Sequence, residues 1–174
     1  MSSPKIDALM LKLEGVVAEN TKAVVFSQFL GFLSKIASEI ESKLPACEIF
    51  KLTGATGKRK AVVSSFQNRK SAAVILVSLK AGGVGITLHT SEYAFFMKPS
   101  WNPAVEEQAI ARIHRIEQHK GTTIYRMIAL NTIEQRMRPM QVKKKHLFDE
   151  IIQNSANEIT FAHFYMQNLW EFFE

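Results

Sequence analysis

The stretch Ala72–Ser78, AAVILVS, carries no polar side chain until its last residue. Successive side chains of a strand point to opposite faces, so a run that is apolar at every position needs cover on both. Parallel sheets sandwiched between helices supply that cover, whereas antiparallel sheets commonly leave one face to water. Lys22–Gln28 (KAVVFSQ), Tyr93–Met97 (YAFFM) and Thr122–Ala129 (TTIYRMIA) are further strand candidates, and Cys47–Leu52 (CEIFKL) alternates as a strand does. Between them the apolar spacing turns helical. Ser3–Pro4 reads as an N-cap and first turn, followed by Ile6, Leu9, Met10, Leu13 and Val17. Phe29, Phe32, Leu33, Ile36 and Ile40 form a second stripe that Pro45 closes, and Val62, Val63 and Phe66 a third within Arg59–Phe66. The expected fold class is α/β, a mainly parallel β-sheet flanked by helices.

In such sheets ligands bind outside the carboxyl ends of the strands. Polar or glycine-rich loops follow four of the strand candidates: SQF, LTGATGKR, SLKAGGVGIT and KPSWNP. Function is therefore expected along that edge.

The 174 residues, 47% of them hydrophobic, suit one domain with a sizeable core. A net charge of +6 fits an anionic partner, although lysine-rich solvated surfaces give the same sum. Cys47, the single cysteine, excludes an internal disulfide framework and reads as a small core residue. No apolar run approaches the ~20 residues of a membrane span. MSSPKIDALM does not resemble a secretory signal, so an intracellular, soluble chain is expected, with no membrane partner. The core is expected over about residues 20–130, with 131–174 as a helical extension packing on it. There Asn131 and Glu134 have the spacing of a capping box that opens a long helix, which Pro139 should kink.

Two stretches could carry chemistry. In Ser78–Thr87, three glycines in four positions beside Lys80 would let backbone N–H groups approach an anion closely, or form a plain strand-to-helix turn. Neither this stretch nor GATGKR (Gly54–Arg59) has the G-x-x-x-x-G-K-[ST] spacing of a P-loop, and no paired acidic motif follows a strand to hold magnesium. The second is PSWNPAVEEQAIARIHRIEQ, residues 99–118. Asn102 is a good N-cap, Pro103 suits the first turn, and Glu106 and Glu107 complement the helix dipole. Val105, Ala109, Ile113 and Ile116 share one stripe; Gln108, Arg112 and Arg115 share another about a quarter turn away. The helix would pack on the sheet and hold an amide and two guanidiniums along its margin, where a ligand trapped between two bodies would lie. A solvated basic face is the competing reading. His89, His114, His119, His146 and His163 show no metal-ligand spacing, and no metal site is expected.

In order, VVFSQF, KLTGATGKRKAVVSSF, ILVSLKAGGVGITL and PSWNPAVEEQAIARIHRIEQ resemble the C-terminal, second RecA-like motor lobe of Swi/Snf-type ATP-dependent DNA translocases, a branch of the superfamily-two helicases. The resemblance runs from about Ser2 to about Ile152. It implies a RecA-like, P-loop NTPase-like lobe that closes on a first lobe of the same polypeptide, probing duplex DNA across both. ATP and Mg2+ would be held mainly by that first lobe, which carries the P-loop. By resemblance, Arg112 and Arg115 stand at arginine-finger positions with Gln108 leading the motif, a catalytic set. Gly85 and Thr87 match the glycine-loop positions closest to nucleotide. Ser27, Gln28, Thr53, Lys80, Gly82 and Gly83 match loops that track DNA phosphates, and Trp101 and Asn102 match a tryptophan–asparagine pair beside that track.

The chain departs from the family pattern at Thr87 (usually asparagine), Lys98 (aspartate), Ser100 (tryptophan) and Glu117 (glycine). The leading expectation is thus half of a DNA-stimulated, monomeric ATPase that remodels protein–DNA complexes and is inactive without its first lobe. The alternative is a catalytically degenerate DNA- or protein-binding module. The compact lobe favours a bacterial cytoplasm, and a eukaryotic source would imply the nucleus.

Overall fold

A computed structural model describes residues 3–79, 87–100, 102–113, 121–137, 139, 140, 142 and 143. The chain divides into two units, Met1–Met137 and Arg138–Glu174, and the architecture below is that of the first. Its elements run α1 (Pro4–Ala18), β1 (Lys22–Ser27), α2 (Leu30–Lys43), β2 (Glu48–Leu52), α3 (Arg59–Asn68), β3 (Ala73–Ser78), β4 (Tyr93–Phe96), α4 (Pro103–Ile113) and β5 (Thr123–Arg126). Among the described residues the strands form one five-stranded sheet in the order β2-β3-β1-β4-β5, with every pairing parallel.

The order explains the composition of each run. Every residue of the interior strand β3 is buried, and so are all but the first of β1 and β4. Strands β2 and β5 lie at the edges, where most positions are only partly covered, and their sequences are correspondingly more polar. The pleat sorts each strand between two cores. Ala23, Val25, Val74, Leu76 and Phe95 face α1 and α2, packing against Ile6, Leu9, Leu13, Leu33, Ile36 and Ile40. Val24, Phe26, Ile75, Val77, Ala94 and Phe96 face α3 and α4 and meet Val63, Phe66, Ala109 and Ile113. Cys47 is buried in the first core, as expected.

Helix α1 starts where the sequence places it, whereas the start after β5 differs. Ser3 occupies the N-cap of α1 with Pro4 behind it, but its hydroxyl makes no cap bond; its carbonyl accepts from the N–H groups of Ile6 and Asp7. After β5 the cap falls one residue later than the Asn131 reading. Asn131 takes a left-handed conformation (φ 58°), and the Thr132 hydroxyl accepts from the Glu134 N–H at 3.3 Å. Glu134 turns back instead, accepting from the Ala129 N–H at 3.0 Å and pairing with Lys5, which also donates to the Met97 carbonyl at 2.9 Å. The kink expected at Pro139 adjoins Arg138, outside the described residues, as does the tail from residue 144.

Candidate functional site

Strand β1 hands the chain to α2 on one face of the sheet, whereas its neighbour β4 hands it to α4 on the other. The carboxyl ends of β1 and β4 therefore flank a topological switch point, the place where open α/β sheets form a crevice. Lys98 spans it, with its ammonium 5.1 Å from the centroid of the half-exposed Phe29 ring.

Ser27 closes β1 and is buried. Its hydroxyl accepts from the Phe29 N–H at 3.1 Å, which shapes the entry to α2 and leaves the O–H proton to donate elsewhere. Its carbonyl accepts from the Leu79 N–H at 3.0 Å, tying this turn to the start of the glycine stretch. Gln28 beside it is half-buried. After β2, the Thr53 N–H donates to the Thr56 hydroxyl at 2.9 Å and the Thr56 N–H returns to the Thr53 carbonyl at 3.1 Å. Arg59 folds back on this loop, donating from Nη2 to the Gly54 carbonyl at 3.1 Å and from Nε to the Thr56 carbonyl at 3.2 Å. A loop with its own carbonyls tied up in this way presents a fixed backbone.

Helix α4 starts as its sequence suggests: the Asn102 side-chain oxygen accepts from the Ala104 N–H at 3.0 Å, with Pro103 in the first turn. Ala109 and Ile113 are buried and Val105 packs against the same core, while Gln108 is exposed and Arg112 half-buried. Over the described residues the two predicted stripes therefore separate into a packed side and a margin; Ile116, the last member of the packed stripe, lies outside the described residues. Glu106 lies in the first turn as expected, but it also has partners that sequence reasoning missed. It is 4% exposed, and its carboxylate accepts from the Ser100 N–H at 2.7 Å and from Arg126 Nε on β5 at 3.2 Å.

At the far end of α4 the Arg112 carbonyl accepts from the Leu88 N–H at 2.8 Å. The Thr87 carbonyl accepts from the Gln67 side-chain amide at 2.7 Å, and the same amide nitrogen lies 3.3 Å from His89 Nδ1. The chain leaving the glycine stretch is thus pinned between α3 and α4, and Thr87 and Arg112 arrive at one corner. A hydroxyl and a permanently charged planar guanidinium on adjacent segments can receive an anionic ligand. Lys80, Gly82, Gly83, Gly85, Trp101 and Arg115 lie outside the described residues. Among the described residues no group of three or more His, Cys, Asp or Glu could hold a metal ion. Shifted titrations sit at the opposite, amino edge: burial lowers Lys22, and the Tyr93 hydroxyl is raised chiefly by its hydrogen bond to Glu19.

Sequence reasoning missed Arg59, Gln67 and the Glu106–Arg126 pair. For Glu106 a signal existed: with Ala109 and Ile113 it forms an i, i+3, i+7 set on the buried stripe, and a carboxylate there must find a partner inside. Arg126, a cation within an otherwise apolar run, was the other half of that signal.

The helicase conserved C-terminal domain matches residues 4–117. The chain belongs to that family, in its Swi/Snf branch. It is 42% identical over 149 residues to DNA repair protein RAD5A of Arabidopsis thaliana, covering 84% of this chain and 14% of the relative. It is 38% identical over 175 residues to the helicase-like transcription factor of Homo sapiens, covering 91% of this chain and 17% of that protein. The chain thus spans about one seventh of the length of the curated relatives it matches. Among solved structures, the C-terminal part of the Fun30 ATPase domain superposes with a TM-score of 0.73 at 31% identity, covering 81% of this chain and 46% of that one. The Sulfolobus solfataricus SWI2/SNF2 ATPase core in complex with dsDNA gives 0.69 at 30% identity, covering 87% and 32%. These likenesses agree with the parallel RecA-like lobe described above.

Proposed function

We propose that this chain acts as the second motor lobe of a DNA-dependent ATPase that translocates on duplex DNA and remodels protein–DNA complexes. The observation that carries the reading is the corner where the Leu88–Arg112 hydrogen bond joins the exit of the glycine stretch to the finger helix. That bond joins the backbones of Leu88 and Arg112, which supports a reading in which a triphosphate presented by a second body meets Thr87 and Arg112. Arg112 and Arg115, led by Gln108, stabilise the charge that grows on the transferring phosphoryl group; planar, always-charged guanidiniums suit it. ATP and Mg2+ are held mainly by the first lobe of the same polypeptide, a reading supported by a sequence that carries no G-x-x-x-x-G-K-[ST] P-loop of its own. This lobe alone hydrolyses no ATP.

Ser27, Gln28 and Thr53, which follow β1 and β2, serve as contacts to DNA phosphates; by sequence, Lys80, Gly82, Gly83, Trp101 and Asn102 join them in that role. The Sulfolobus relative's structure contains dsDNA, which supports duplex DNA as the partner. The DNA repair names of the plant and yeast relatives support a nuclear setting over a bacterial cytoplasm. The test is the ATPase rate of the full natural polypeptide with and without duplex DNA. Stimulation by duplex of any sequence is expected; a polypeptide that binds duplex but never hydrolyses ATP would favour the degenerate binding module.

A further inference from the structure

Glu106 is a carboxylate sealed inside the lobe, and its three connections run to different parts of the proposed machinery. It belongs to α4, the helix that bears Arg112. One carboxylate oxygen holds the N–H of Ser100, itself 4% exposed, at the head of the loop containing Trp101 and Asn102. The other holds Arg126 Nε on β5, whose guanidinium lies 5.9 Å from the Phe96 ring centroid. Asn102 completes the join by capping α4 and donating its own N–H to the Ser100 hydroxyl at 3.4 Å. At the other end the helix is tied to Leu88 through the Arg112 carbonyl. Loop, helix and glycine-stretch exit are therefore linked through one bar, and Glu106 is its buried joint. A helix dipole could be served by any exposed acid; full burial with two charge-assisted partners is needed only to fix a position.

We propose that Glu106, held by Arg126, is a positioning residue that couples the loop at Ser100–Asn102 to the finger helix, so that duplex DNA at the loop sets the placement of Arg112. The inference rests on the motor reading above. Displacements of about 1 Å in a reacting group can cost about a hundredfold in rate, so small errors in this joint suffice to be measured.

The experiment compares the wild-type full natural polypeptide with Glu106→Gln and Arg126→Gln, measuring ATPase with and without duplex DNA, the KM for ATP, duplex affinity and thermal melting. Glu106→Gln keeps an acceptor for Ser100 but loses the charge that holds Arg126. Arg126→Gln removes the same pair from its partly exposed side, and so serves if the buried variant does not fold. Either variant is expected to lose the DNA-stimulated part of kcat by at least about tenfold, while DNA-free turnover, KM for ATP and duplex affinity stay unchanged. Combining the two should add little, as expected of one joint. A merely structural pair would lower melting temperature and reduce basal and stimulated rates together, and that result overturns the proposal. A wild type stimulated by DNA alongside variants stimulated equally overturns this inference alone. A wild type whose ATPase ignores DNA overturns the motor reading and this inference with it.

Discussion

Replacing Arg59 by alanine separates two roles that its sequence context, TGATGKR, leaves tangled. As a phosphate ligand Arg59 would point out; the structure turns it inward, onto the Gly54 and Thr56 carbonyls at 3.1 and 3.2 Å. Hydrogen bonds from charged donors are worth about 1.5–3 kcal/mol each when buried, but Gly54 is exposed. Solvent screening brings the pair nearer to about 1 kcal/mol. For a chain of this size that is a fall of about 2–4 °C in melting temperature. The loop should then sample more conformations, weakening duplex binding severalfold through lost preorganisation. The salt dependence of binding decides the case. Each neutralised phosphate contributes about 0.9 to the slope of log affinity against log salt. Arg59→Ala should leave that slope unchanged, whereas Lys58→Ala, exposed at the same loop, should reduce it by about 0.9. A slope that falls by one phosphate in Arg59→Ala, with melting unaltered, would refute the inward bracing argument.

Further outcomes follow from the same geometry. Phe66 is fully buried, edge-on to Phe50 at 5.6 Å, so Phe66→Ala should cost about 3–5 kcal/mol in urea unfolding. Burial pushes the Cys47 thiol up to about 11 from 9.0, so native protein should resist alkylation at pH 8 until unfolded. By linkage the folded state holds that proton more tightly: the contribution is present below pH 9 and lost as pH rises through about 11, and urea midpoints against Cys47→Ala should show it. Lys80→Ala should weaken duplex binding about equally for all sequences and flatten the salt slope, because phosphates carry no sequence information.

The sheet was legible because burial on two faces demands apolar residues at consecutive positions, and β3 meets that demand from Ala73 to Val77. The edge strand CEIFKL admits Glu48 and Lys51 because most of its positions are only partly covered. The packed and marginal stripes of α4 could be read from helical spacing alone, and the Asn102 cap from residue type. What escaped notice depended on partners distant in sequence. Glu106 and Arg126 meet across 20 residues, as do Gln67 and Thr87, and no local pattern announces either pair. Asn131 reads as a cap in the sequence because asparagine favours caps. Asparagine also tolerates the left-handed conformation, and Thr132 was the better-placed hydroxyl.

In the proposed motor, Arg112 reaches out of this lobe to a triphosphate held by another. The most direct measurement is duplex-stimulated ATP turnover of the full natural polypeptide carrying Arg112→Ala, with Arg112→Lys beside it. An arginine finger is worth about 10³–10⁵ in rate, so turnover should fall by orders of magnitude while duplex affinity and melting temperature barely move. Lysine should not restore it, lacking the planar fork. Turnover at the parental rate in Arg112→Ala would contradict the assignment and leave Arg112 as part of a solvated basic margin.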